Sequence, residues 1–165
     1  MLFRSGAVVR PALIWCDQRT HEECALLTER IGAARLIEWT SNPALTGFTL
    51  PKLLWVRRTE PDAWARVRHV LLPKDYIRYR LTGRFATDVA DASGTLLFDV
   101  ARRRWSREMF GATGIEATMM PEAFEGPQIT GSLTTDGATA VGLRPGIPVV
   151  AGGGDQAAGA VGMGI

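Results

Sequence analysis

The stretch PVVAGGGDQAAGAVGMGI, residues 148–165, constrains the fold of this chain more than any other. Val149, Val150 and Ala151 form a short apolar run of the kind that makes a buried strand, and three glycines follow that permit positive φ and close backbone approach. Asp155 comes next, where it can cap a helix beginning at Gln156. A strand that breaks over glycines into a helix is the building unit of an open α/β sheet, and the carboxyl edge of such a sheet is where ligands bind. The acid then has two readings of equal standing. Either Asp155 is a helix cap and the glycines are a turn, or a carboxylate stands beside a loop free of side chains with room for a substrate.

With 165 residues, 46% of them hydrophobic, the chain fits one domain or a piece of a larger one with a true core. Nineteen basic residues against 17 acidic ones leave a net charge of +2, and the run from Arg102 to Arg104 stands alone without aromatic or glycine-rich company. Nucleic acid is not indicated. Cys16 and Cys24 have neither CxxC spacing nor a nearby His pair, so no metal site is expected and both thiols are read as reduced and partly buried. No apolar run approaches the ~20 residues that span a bilayer, and no signal-peptide core is visible, so a cytoplasmic protein without membrane contact is the expectation. Residues 1–5 match neither a strand nor a helix start, and the chain stops inside the last helix. A truncated reading frame is expected on that ground, with residues 1–8 as a non-native or truncated leader and 9–165 as a partial domain.

Upstream, strands and helices alternate. Residues 8–16 contain the apolar run ALIW, entered through Pro11, which predicts a strand with Trp15 at its carboxyl end. Its ring is read as core or as an apolar wall for a sugar. Thr20 and Glu23 have capping-box spacing, Cys24, Leu27 and Ile31 recur at helical intervals, and Gly32 supplies a stop, so a helix is predicted over 21–31. After loop chemistry at 42–47, Thr49 is the expected cap of a helix holding Pro51 in its first turn. Lys52 of that helix faces solvent or an anionic partner. A short helix is predicted over 60–68, a buried strand at HVLLP ended by Pro73, and a helix over 75–81 whose apolar face carries Ile77 and Leu81. His69 has no His or Cys companion nearby and is assigned no role. Residues 87–99, TDVADASGTLLFD, read as a tight loop or single helical turn feeding a Leu-Leu-Phe strand. Trp105 and Ser106 precede a short helix, 129–133 is a strand, and 134–142 is a helix stopped by Gly142. The rhythm is that of an α/β fold with some antiparallel pairing.

Five blocks in register, IWCDQRT, NPALTGFTLPKLLW, VLLPKDYIRYRLTG, TDVADASGTLLFD and VVAGGGDQAAGAVG, resemble the FGGY family of carbohydrate kinases, and within it the xylulokinase branch. TGFTLPKLLW is similar to the first half of the family signature, and Thr59 departs from the residue expected at the end of that half. The resemblance implies an actin-like ATPase of two domains, each built on a ribonuclease-H-like core, with this chain as the latter part of the first. It implies ATP and Mg²⁺ as requirements of the complete enzyme, a small sugar as its substrate, and the capacity to form a homodimer. By the same match Asp155 is the general base that takes the proton of the attacking sugar hydroxyl. Gln156 hydrogen-bonds sugar hydroxyls, and Trp15 lines the sugar pocket as in the related glycerol kinases.

In the family a phosphate-binding hairpin with a DxGT-type motif precedes the part matched here, and a second phosphate loop and an adenosine-binding segment follow it. The main ATP-contacting motifs are therefore expected outside this chain, and the chain alone is expected to be inactive. D-xylulose is the implied substrate, phosphorylated to D-xylulose 5-phosphate. The alternatives are another FGGY sugar or polyol kinase, of glycerol, ribulose or gluconate type, and a non-catalytic sugar-binding module.

Overall fold

The structure is a computed structural model that describes residues 1–165. In chain order the elements begin with helices α1 (His21–Ile31), α2 (Ala33–Thr40), α3 (Thr49–Thr59), α4 (Pro61–Trp64) and α5 (Pro73–Thr82), followed by strand β1 (Ala86–Asp88) and helix α6 (Val89–Ser93). Strands β2 (Phe98–Asp99) and β3 (Arg104–Trp105), helix α7 (Arg107–Thr113), and strands β4 (Glu122–Phe124) and β5 (Ile129–Ser132) come next. Helix α8 (Thr135–Val141), strand β6 (Pro148–Val150) and helix α9 (Asp155–Gly162) complete the chain. They fall into two compact units, one of Met1–Val70 with Ser93–Met120, the other of Leu71–Ala92 with Pro121–Ile165.

The first unit is built on a continuous apolar core. Leu27 and Ile31 of α1, Leu36 of α2, Leu50 and Leu53 of α3, and Met109 and Phe110 of α7 meet Val67, Val70, Leu96, Leu97 and Ile115 there. Helical spacing on α1 and α3 puts these side chains on one face each. β2 and β3 pair antiparallel, which sets Trp105 edge-on to Phe98 at 5.3 Å between ring centroids. Ser106 caps α7 by accepting from the Met109 amide. Leu2 is buried and bridges both Val8 and His69.

Several expectations for this unit are overturned. ALIW is not a strand: no strand pairs with it, Ile14 and Trp15 are exposed, and the Asp17 amide closes a turn on the Ile14 carbonyl. Pro11 offers no donor to a ladder, and without a partner strand the exposed segment leaves its remaining backbone groups to water. The capping box does not form either. Thr20 donates its hydroxyl to the Thr46 carbonyl, while Glu23 is drawn into a pair with Arg58 at 2.7 Å. Phe48, not Thr49, takes the cap position of α3, and Lys52 turns back into the protein to donate to the Gly47 carbonyl at 2.6 Å. The 60–68 helix is the single turn α4, HVLLP contributes one isolated bridge at His69, and Pro73 starts a helix instead of ending a strand. In TLLFD, Leu96 has φ of 60°, so only Phe98 and Asp99 are extended. Helix α2 was not foreseen. Cys16 is exposed, contrary to the expectation of partial burial.

The second unit has small two-stranded sheets and a different interior. β1 pairs parallel with β4, and β5 pairs antiparallel with β6 across an irregularity between Ile129 and Gly131. The buried strand predicted at 149–151 forms one residue earlier as β6, and it is half exposed: Val150 faces outward, and the buried Ala151 lies just past its end. α8 starts on its Thr134 cap, which accepts from the Gly137 amide. It lies so close to α5 that a Cβ on Gly137 would sit 2.3 Å from the Leu81 carbonyl oxygen. On α5 the predicted apolar face is inverted. Ile77 is 59% exposed, whereas the residues buried at helical spacing are Asp75, Arg78 and Thr82.

Candidate active site

Asp155 is the first residue of α9, and Gly154, in extended conformation, holds the cap position. The cap role open to Asp155 in the sequence is therefore taken by glycine. Its carboxylate is exposed and accepts only from the adjacent Gln156 amide at 2.9 Å, leaving acceptor capacity outward. The N-terminus of a helix suits a carboxylate in that position. Gln156 is likewise exposed on the first turn. Trp15 belongs to the first unit, where its ring is 80% exposed on the turn after Ile14.

The loop ahead of Asp155 is pinned at its base. The Ala151 amide donates to the Gln128 carbonyl, and the Gly152 amide to that of Gly126. Gly152 has φ of +89°, a left-handed conformation that explains why glycine stands there.

Against this loop lies a buried group of charges that sequence reading passed over. Lys74, on the first turn of α5, places its ammonium 2.6 Å from Asp75 Oδ1 and 2.7 Å from Asp88 Oδ2, and 3.3 Å from the Ala151 carbonyl at the end of β6. Asp91 Oδ2 is 4.0 Å from the same ammonium. Asp75 and Asp88 have no solvent exposure, and Asp88 uses its other oxygen to accept from the Ala90 and Asp91 amides, holding the start of α6. Deeper still, Arg78 donates to Thr130 Oγ1 at 2.9 Å and to the Ala86 carbonyl. A surface lysine and scattered acids are the ordinary reading of KDYIR and TDVAD. The available signal was the pairing of Lys74–Asp75 at a helix start with two acids three residues apart among small neighbours.

The electrostatics follow from one ammonium among several carboxylates. Burial pushes the Asp91 carboxyl up to about 6; Lys74 opposes that, and the charges of Asp75, Asp88 and Asp155 add to it. Burial also raises Asp75 against the pull of Lys74, the Thr87 hydroxyl and Arg78. Burial alone would lower Lys74, but its hydrogen bonds and ion pairs with Asp75 and Asp88 outweigh it and leave the ammonium held above its ordinary value. The same desolvation lowers Arg78. No three acids, histidines or cysteines of this chain gather closely enough to hold a metal ion.

The chain is mixed α/β, and its likeness to solved FGGY-family kinases puts it in the class of actin-like ATPase domains. A solved xylulose kinase structure from Rhodospirillum rubrum superposes on it with a TM-score of 0.94 at 29% identity, over 99% of this chain and 34% of that one. Residues 2–162 match the family model "FGGY family of carbohydrate kinases, N-terminal domain", and the chain belongs to that family. It is similar to the xylulose kinase of Escherichia coli (strain K12), 51% identical over 158 residues, covering 96% of this chain and 32% of that protein. It is also 42% identical over 165 residues to the xylulose kinase of Bacillus subtilis (strain 168), covering all of this chain and 33% of that protein. The chain thus spans about a third of the length of the curated relatives it matches.

Proposed function

We propose that this chain is a sugar-binding part of an ATP-dependent kinase that converts D-xylulose to D-xylulose 5-phosphate, with Asp155 as general base. In the reaction the sugar hydroxyl oxygen forms a bond to the γ-phosphorus of ATP, and the bond to the bridging oxygen of ADP breaks. The hydroxyl proton passes to the Asp155 carboxylate. The observation that carries the reading is the free carboxylate at the first position of α9, bonded only to its neighbour's amide and preceded by a loop without side chains. Gln156, on the same turn, is proposed to donate to sugar hydroxyls. ATP supplies the phosphoryl group, and the family implies Mg²⁺ with it. The residues of this chain do not form a metal cage, so no step is assigned to the ion here.

The test is a chimaera in which residues 2–162 replace the matching third of the E. coli xylulose kinase, assayed by xylulose-dependent ADP release. Turnover is expected. Asp155→Asn should lower kcat on the order of 10² to 10⁴-fold with little change in the KM for xylulose, the range a positioned base contributes. A folded chimaera without turnover, or an Asn variant within a few-fold of its parent, would overturn the reading.

A further inference from the structure

We propose that Lys74 is a positioning residue for the general base, fastening the glycine loop to the acids of α5, β1 and α6 and so holding Asp155 in place. The inference rests on the reading of Asp155 as the base. Three contacts define it. The ammonium donates to Asp75 Oδ1 at 2.6 Å and to the Ala151 carbonyl at 3.3 Å, and it stands in an ion pair with Asp88 at 2.7 Å. The lysine stem packs on the loop as well, since a Cβ on Gly152 would lie 3.5 Å from Lys74 Cδ. At the far end of the loop a Cβ on Gly154 would lie 3.4 Å from Asp91 Oδ1. Both ends of the segment that leads into Asp155 therefore rest on the same charge cluster.

Stability alone does not account for such a group. Burying charges costs several kcal/mol each before pairing, and well-packed apolar replacements are often as stable or more so. Here the charges stand where backbone placement decides the position of a reacting carboxylate. Misplacing such a group by ~1 Å can cost about 10²-fold in rate. Lys74 is the cation that touches the loop, and without it the buried Asp75 and Asp88 carboxylates lose their ammonium partner.

Two measurements test this. In the 165-residue chain the backbone amide exchange of Ala151 and Gly152 is followed by NMR, and Lys74→Met is expected to speed it at least about 10-fold as the loop loses its fastening. In the chimaera, Lys74→Met is expected to lower kcat by about 10- to 100-fold while the KM for ATP stays within about threefold. A parental kcat overturns the proposal whatever the exchange rates, and so does a lowered kcat with parental exchange at both amides. Should Lys74→Met not fold, Lys74→Arg is read in its place, because it keeps the charge and changes its position. A kcat lowered at least about 10-fold then supports the proposal, and parental kcat overturns it. Asp155→Asn keeps the two readings apart. If it leaves kcat unchanged the base role itself fails; if it abolishes turnover while Lys74→Met does not, only the positioning role fails.

Discussion

The two units of this chain are held together by different means. Helices α1, α2, α3 and α7 of the first unit close on a single apolar cluster of leucines, valines, isoleucines and a Met–Phe pair, and its buried acids Glu23 and Asp99 pair with arginines, Arg58 and Arg102, that reach the surface. In the second unit the buried apolar residues are few and mostly small, among them Ala86, Ala92, Ala138 and Ala151. Its other buried side chains include Val89 and Leu133 beside the polar Asp75, Arg78, Thr82, Thr87, Asp88 and Thr130. Hydrophobic burial gains free energy without regard to direction, so the first unit tolerates conservative repacking. Hydrogen-bonded charges are directional and costly when mismatched, so the second unit fixes geometry at the expense of stability. The unit that carries Asp155 is the one built for placement.

That contrast makes graded predictions, each measurable by urea denaturation of the 165-residue chain. The largest loss is expected from Leu53→Ala in the first unit, about 3 kcal/mol, because Leu53 is 2% exposed in the middle of the cluster. A loss below about 1 kcal/mol would break the claim that the apolar core carries that unit. Next comes Gly137→Ala in the second unit. The added methyl would meet backbone, not a flexible side chain, so α8 must shift off α5 at a cost of about 2 kcal/mol.

A change of opposite sign follows from the charge cluster. Because the Asp91 carboxyl is pushed up to about 6, the protonated form is the one the fold favours. Its stabilising contribution is complete below the ordinary carboxylate value of 3.8 and is lost as pH rises through about 6. Asp91→Asn should therefore stabilise the chain by about 1 kcal/mol at pH 7.5, and the gain should fade as the pH is lowered from 6 to 4. A destabilised variant at pH 7.5 would show that the Lys74 attraction outweighs burial. The smallest effect belongs to Ile77→Ala, within about 0.5 kcal/mol, since this apolar helix residue is 59% exposed and α5 buries its polar face. A loss above 1 kcal/mol would restore the apolar face that the residue pattern suggested.

Local chemistry determined a good part of this protein. The strand–glycine–acid–helix junction, the helix over 21–31 and the glycine stops are legible in short stretches, because the atoms involved are a few residues apart. Asp155 at that junction was legible for the same reason, whereas Gln156 was singled out by the family resemblance alone. What tertiary structure alone decided is the fate of segments that need a distant partner. ALIW reads as a strand but has no neighbour to pair with, and Thr20 and Glu23 leave their capping box for Thr46 and Arg58. The buried face of α5 reverses because Asp75 pairs with Lys74, Lys74 reaches on to Asp88 and the Ala151 carbonyl, and Arg78 donates to Thr130, partners up to 77 residues away in the chain. A charged side chain reads as solvated until the group that compensates it is known, and only the folded chain supplies that group.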